Sequence, residues 1–105
     1  MAVGETPVLD VMTDMTAASL ERTELDPQTL VLVRLAALVA VDAPEASYVL
    51  HVGAAAAAEV TLDRAQDVLV AVAPIVGTAR TASAATKMVA ALGLVIALAS
   101  TAETE

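Results

Sequence analysis

Between Leu30 and Val41 the sequence is apolar on almost the whole circumference of a helix, and Arg34 is the one interruption. A helix with apolar side chains on every face has to be buried on every face. A chain of 105 residues has a large surface relative to its volume, so it cannot enclose such a helix by itself. We therefore expect the surplus apolar surface to pack against other subunits in an obligate homo-oligomer.

Helix-start signals divide the chain into about five helices, and almost no segment has the alternation of a strand. Most of these signals pair a residue that can cap a helix with a proline, which has no backbone N–H to lose. The helices are expected to begin at Thr6-Pro7, Asp26-Pro27, Asp42-Ala43-Pro44, Thr61 and about Ala79. The sequence thus predicts one all-α domain over residues 1–105, a helical bundle with an acidic tail at 101–105.

The first helix is amphipathic in a way that suggests an external partner. Its apolar face carries Val8, Val11, Met12 and Met15, and aspartates occupy the opposite face. Methionine is an adaptable packing residue. We expect this helix to dock on a neighbour rather than enter the main core.

The charge balance excludes several classes of partner. Thirteen acidic residues against five basic ones give a net charge of −8, which keeps an apolar chain soluble. Nucleic acids and anionic membrane surfaces both require clustered cations, so neither is expected as a partner. The longest uncharged apolar run, Met88 to Ala99, is shorter than a bilayer requires. The first residues lack a basic signal-peptide region, which favours a cytoplasmic protein.

Sulfur and metal chemistry are also constrained by composition. The chain has no cysteine, so disulfides, thiolate metal sites and thiol redox chemistry are impossible. His51 is the only histidine, and no close carboxylates accompany it to complete a metal site. We expect no metal and no cofactor.

His51, Tyr48 and Ser47 form the candidate catalytic cluster. Ser47 lies four residues and Tyr48 three residues before His51, so all three share one face of the third helix. An imidazole, a phenol and a hydroxyl together can transfer a proton. The same three groups can equally form a hydrogen-bonded polar spot in a core or an interface.

Two arginines are candidates for binding a carboxylate. Arg34 lies within an apolar helix, where it either captures a substrate carboxylate or forms a structural ion pair with Asp42 or Glu45. Arg80 follows Gly77 at the start of the fifth helix, where it can hold an anion or remain a solvated surface residue.

The order of motifs resembles the carboxymuconolactone decarboxylase family, which includes the alkylhydroperoxidase D-like proteins. The resemblance covers about residues 25–92. Its motifs are Leu25-Asp26-Pro27, Tyr48-Val49-Leu50-His51 before an alanine-rich stretch, Val60-Thr61-Leu62-Asp63-Arg64 and Val72-Ala73-Pro74-Ile75-Val76-Gly77. The resemblance implies an all-α fold assembled as trimers or hexamers. It also implies glycine at the position of Glu59, where a left-handed backbone costs a larger residue roughly 1 kcal/mol.

The family includes two kinds of enzyme, and the matching positions of this sequence distinguish between them. One branch is a thiol peroxidase, whose two cysteines would fall at Pro44 and Ser47 and whose glutamate would fall at Leu32 or Val31. None of these residues carries a thiol or a carboxylate, so thiol peroxidase activity is excluded. The other branch decarboxylates a carboxylated lactone, and His51 matches the family histidine.

Two functional hypotheses follow. The first is a cofactor-free lyase or isomerase acting on a small carboxylated molecule, with His51 as proton carrier and Arg34 or Arg80 holding the carboxylate. The second is a non-catalytic homo-oligomer of the same fold that binds a small molecule or serves in assembly. A solvent-reachable pocket at His51 favours the first, and a sealed histidine bonded to the backbone favours the second.

Overall fold

The computed structural model describes residues 6–104, with side chains up to residue 98. Over these residues the chain is all-helical, and no strand occurs among them. The helices are α1 (Pro7–Arg22), α2 (Pro27–Ala40), α3 (Glu45–Ala57), α4 (Leu62–Val76) and α5 (Thr78–Thr104).

Local side-chain chemistry fixes where α2 and α4 begin. The Asp26 carboxylate accepts hydrogen bonds from the Thr29 hydroxyl at 2.6 Å and the Thr29 N–H at 3.1 Å. The bond from the Thr29 hydroxyl is the main reason that the pKa of Asp26 lies below its ordinary value. Thr61 Oγ1 accepts from the N–H of Arg64 at 3.2 Å. Both predicted starts are confirmed.

The starts of α1 and α3 are also near the predicted residues, although their caps differ from the expected ones. Thr6 precedes α1, but its hydroxyl donates to the carboxylate of Asp10 instead of capping the backbone. Pro44 occupies the N-cap position of α3, whereas Asp42 lies directly after the C-cap residue of α2. At the other end of the chain, α5 continues to Thr104 through most of the predicted acidic tail, and Glu105 lies outside the described residues.

Helix α2 runs through the centre of the bundle, where it packs against α3, α4 and α5. One line of its residues, Val31, Leu35 and Val39, enters the core. Val33 and Val41 remain 51% and 71% exposed. A single chain therefore leaves part of this apolar segment uncovered, as expected from the sequence, and its burial against another subunit stays a prediction. The rest of the core consists of Ala43, Tyr48, Leu69, Ala84, Met88 and Ala91.

The connection from α2 to α3 is fastened to α5 by polar contacts. The carboxylate of Asp42 accepts from the Ser83 hydroxyl at 2.8 Å and from Lys87 Nζ at 3.0 Å. Lys87 also donates to the Ala43 carbonyl at 2.9 Å. The hydrogen bond from Ser83, followed by that from Lys87, lowers the pKa of Asp42. These contacts join residues more than 40 positions apart in the sequence.

By length and composition alone, α5 is apolar enough over Thr78–Leu98 to cross a membrane. On these two criteria, the prediction that no segment is long enough to span a bilayer is wrong. That prediction counted only uncharged apolar runs, and the run in α5 begins after Lys87. That segment contains Lys87 and Arg80, which contact the chain near the end of α2. Helix α5 also packs against α2, α3 and α4, as a helix of the bundle does.

Helix α1 stands apart from the bundle. It contributes no buried residue and makes no close backbone approach to another described helix. The radius of gyration is 15.3 Å, against about 13 Å for a compact domain of this length. The accessible surface is 7199 Å², against about 5,500 Å² for a folded monomer of this mass. A single chain therefore leaves more surface uncovered than a compact monomer does.

Helices α2 and α3 end in the same hydrogen-bonded motif, with a left-handed residue after each helix. The N–H of Val60 reaches the carbonyl of Ala55 at 2.8 Å, and the N–H of Glu59 reaches that of Ala56 at 3.1 Å. This six-to-one and five-to-two pattern requires a positive φ, which is 62° at Glu59 and 52° at Asp42. Glu59 is therefore left-handed, and the family glycine falls at a position where a residue with a Cβ atom is strained.

Glu59→Gly is expected to raise the free energy of unfolding by about 0.5–1 kcal/mol. Glycine adopts the left-handed conformation without the strain that a Cβ atom adds, although its greater freedom in the unfolded chain offsets part of the gain. Urea unfolding measures the difference. Glu59→Ala is the matched control, because it removes the same charge and keeps the strain. An equal gain in both variants would assign the effect to charge and contradict this explanation.

Candidate functional site

The ring of His51 is held in one orientation by the backbone of its own helix. Its Nδ1 lies 2.7 Å from the carbonyl oxygen of Ser47. A carbonyl only accepts hydrogen bonds, so Nδ1 carries the proton and the neutral ring keeps its lone pair on Nε2. No hydrogen bond to a described residue occupies Nε2. The side chain is half-buried, so this nitrogen belongs to a site that is neither sealed nor fully solvated.

His51 forms part of the wall of two separate concavities. The first, which we call the outer groove, lies between α1, α2 and α3 and has a volume of about 610 Å³. Besides His51, it is lined by Arg34 of α2 and by apolar side chains that include Leu20, Leu30 and Leu50. The outer groove thus brings together the predicted proton carrier and one of the two predicted carboxylate-binding arginines.

Arg34 is half-buried and makes no ion pair with a described residue. Its Nη2 donates to the Ser19 hydroxyl of α1 at 2.8 Å. Neither Asp42 nor Glu45 pairs with it, and the turn at Asp42 directs that carboxylate to Ser83 and Lys87 of α5. The predicted structural ion pair is therefore wrong. A guanidinium has five N–H donors in a fork that suits a carboxylate, and no carboxylate among the described residues takes them.

The second concavity, which we call the inner pocket, lies between α2, α3, α4 and α5. It has a volume of about 140 Å³ and is only partly enclosed. Its polar side chains are His51, Tyr48 and Thr61, and no charged residue lines it. The remaining lining residues are Leu35, Val52, Ala55, Ala56, Val60, Leu62, Ala65, Met88 and Leu92.

Tyr48 lines the inner pocket but is only 2% exposed. Its Oη is the one buried polar side-chain atom in the described part of the chain that has no hydrogen-bond partner. Burial, with a smaller contribution from the charge of Asp42, raises the pKa of this phenol above its ordinary value. Tyr48 is therefore a neutral hydrogen-bond donor.

The other two predicted site residues lie outside both concavities. Ser47 contacts His51 through its backbone carbonyl, and its hydroxyl makes no hydrogen bond to a described residue. Arg80 donates to the carbonyl of Ala40 and closes the end of α2. Arg80 is exposed, so this structural contact does not test whether it holds an anion, which stays a prediction.

Three contributors to the site had no signal in the sequence. Leu20 of α1 lines the outer groove, Ser19 of α1 accepts a hydrogen bond from Arg34, and Met88 of α5 lines the inner pocket. These residues are distant from His51 along the chain, and nothing in their spacing points to it. Within the described residues, no three histidine, aspartate or glutamate side chains come together as a metal site would require.

A family model for the carboxymuconolactone decarboxylase family matches residues 6–91. The chain belongs to the carboxymuconolactone decarboxylase family. The match begins earlier than the resemblance predicted from the sequence, so α1 is part of the family domain. Neither curated proteins nor solved structures gave a match to the chain.

Within the carboxymuconolactone decarboxylase family, this chain is one without cysteine. Pro44 and Ser47 stand where the peroxidase-type cysteines would fall, and the Ser47 carbonyl instead orients His51. Among the described residues, His51 is the one that lines both concavities, and its imidazole can act as an acid or a base.

Proposed function

We propose that this carboxymuconolactone decarboxylase-like protein acts on a small carboxylated molecule in the outer groove. Arg34 holds the carboxylate, and His51 carries the proton. The observation that carries this proposal is that both side chains line one groove, while no carboxylate of residues 6–98 pairs with Arg34. No cofactor takes part in this scheme.

The proposed reaction is a decarboxylation that consumes one proton, which water supplies. The bond between the carboxylate and its neighbouring carbon breaks, and carbon dioxide leaves. The electron pair stays on that carbon as an enolate stabilised by an adjacent carbonyl. His51 takes a proton from water at Nε2, which releases hydroxide to the solvent, and then gives that proton to the carbon, which restores the neutral ring.

Arg34 has a defined and limited role in this scheme. Its hydrogen bonds to the departing carboxylate are lost as that group becomes neutral carbon dioxide. They therefore stabilise bound substrate more than the transition state, and they support binding rather than the chemical step. Transition-state stabilisation has to come from proton transfer at His51.

A second candidate function is small-molecule binding without turnover. The observation that favours it is the nearly complete apolar lining around His51, which supplies few groups to stabilise a developing negative charge. Under this alternative, Arg34 and His51 serve recognition only.

The carboxylate site is tested by binding of benzoate to wild-type protein, Arg34→Met and Arg80→Met. One hydrogen bond to a charged group is worth about 1.5–3 kcal/mol, so Arg34→Met is expected to weaken benzoate binding by about 10- to 100-fold. Arg80→Met is the matched control, because it removes the same charge outside the outer groove and is expected to leave affinity within about twofold. Equal losses in both variants, measured by calorimetry, would contradict the site.

We also propose that the protein functions as a homotrimer or homohexamer. The large uncovered surface of one chain and the separation of α1 from the bundle support this assembly. Apolar surface of this extent is normally covered by another subunit.

A further inference from the structure

We propose that the inner pocket is a second binding site, which takes an uncharged, ring-sized molecule bearing one hydroxyl group. The hydroxyl oxygen accepts from Tyr48 Oη, and the hydroxyl hydrogen is donated to His51 Nε2. This inference does not require the carboxylate site at Arg34, but both proposals use the one lone pair of His51 Nε2, so the two ligands would compete for that atom.

The size and lining of the inner pocket set the class of molecule. Its volume is about 140 Å³, and an apolar protein cavity of about 150 Å³ accommodates benzene. The wall is almost wholly aliphatic and has no cation, so a carboxylate placed there would lose its hydration without gaining a counter-charge. The pocket therefore selects against the anions that the outer groove favours.

Two polar side chains that line the inner pocket have complementary unmet capacities. Tyr48 Oη is a donor and has no partner within the described residues. His51 Nε2 is an acceptor, because Nδ1 already donates to the Ser47 carbonyl. A hydroxyl group is the simplest function that accepts from one and donates to the other.

Access to Tyr48 Oη requires a small side-chain adjustment, because this oxygen is covered in the unliganded chain. Met88 lies in the same wall, and its unbranched side chain changes rotamer at low cost. A hydrogen bond made away from bulk water is correspondingly strong.

The single tyrosine and single histidine make the test direct, because each ring gives its own assignable NMR signals. Tyr48 lines only the inner pocket, whereas His51 lines both concavities. The probes are phenol, benzene and benzoate. Phenol is expected to shift the Tyr48 and His51 signals and to bind about tenfold more tightly than benzene, the ratio that about one hydrogen bond provides. Benzoate is expected to leave the Tyr48 signals unchanged.

Variants distinguish the contribution of the Tyr48 hydroxyl contact from that of the volume of the inner pocket. Tyr48→Phe removes one oxygen that has no partner, so it should fold, and it is expected to reduce the preference for phenol over benzene to within about twofold. Ala55→Leu fills the inner pocket and is expected to abolish binding of both probes. Ala54→Leu is its matched control, since Ala54 lines the outer groove instead.

Several results would overturn the inference. They are Tyr48 signals that phenol leaves unmoved, benzoate binding that shifts Tyr48 as strongly as phenol does, or an unchanged phenol preference in Tyr48→Phe. Loss of benzoate binding in Arg34→Met with phenol binding intact supports both sites. Failure of the benzoate experiment alone rejects the proposed carboxylate function and leaves the inner pocket standing.

Discussion

Replacing His51 with glutamine is expected to lower kcat for decarboxylation by a factor of about 10² to 10⁴, the usual contribution of a positioned acid or base. Glutamine keeps a polar amide at the position, but it has no basic nitrogen. The wild-type ring has one, because the Ser47 carbonyl holds Nδ1–H and leaves the lone pair on Nε2. KM is expected to change little, since binding of the carboxylate is assigned to Arg34.

Arg34→Met is the companion variant, and it is expected to show the opposite pattern. Its KM should rise by about 10- to 100-fold while kcat does not fall, because the arginine binds the carboxylate of the substrate more strongly than it binds the transition state. The measurement is carbon dioxide release from carboxylated lactones at several substrate concentrations. A wild-type rate that His51→Gln leaves intact would remove His51 from the mechanism. Binding of carboxylates without any release by the wild-type protein would establish the non-catalytic alternative.

Placing aspartates at Met12 and Met15 is expected to break the assembly into smaller species, with a dissociation constant raised by at least about 100-fold. Val8, Val11, Met12 and Met15 are each between 51% and 70% exposed in a single chain. Burying two carboxylates without partners in a subunit interface costs several kcal/mol. This variant therefore tests the proposed docking of α1 on a second copy of the chain.

The matched control adds the same two charges to the opposite face of α1, at Thr13 and Ala17. Both positions are exposed, so assembly should be unchanged. Native mass spectrometry and sedimentation measure the number of chains. We expect three or six for the wild type and for the control. A wild-type protein found as single chains in buffer, or recovered with membranes through α5, would contradict the assembly.

Features controlled by neighbouring residues could be predicted from the sequence. Asp26-Pro27 and Thr61 begin helices because their side chains bond to the backbone three residues later. The left-handed conformation at Glu59 is likewise a property of the last turn of α3. In each case the atoms that decide the conformation lie within one helical turn.

Features controlled by distant residues could not be predicted. The pairing of Arg34 with Asp42 is plausible from their proximity in sequence, yet Asp42 bonds to Ser83 and Lys87 of α5. Periodicity places Tyr48 and His51 on one face of α3. Periodicity does not predict that Tyr48 is buried while His51 borders two concavities. These outcomes depend on which helices pack together, and amphipathic patterns alone do not specify that.

A single residue, Gly77, separates α4 from α5, and its φ of 90° belongs to a region that glycine alone adopts readily. This junction has no spare chain, so lengthening it would reset the direction of a long helix that contacts three others. The connection between α1 and α2 has four residues and lies on the surface. Peptide tags, fluorescent-protein insertions and circular permutation should therefore be tolerated between Thr23 and Asp26 and rejected at Gly77.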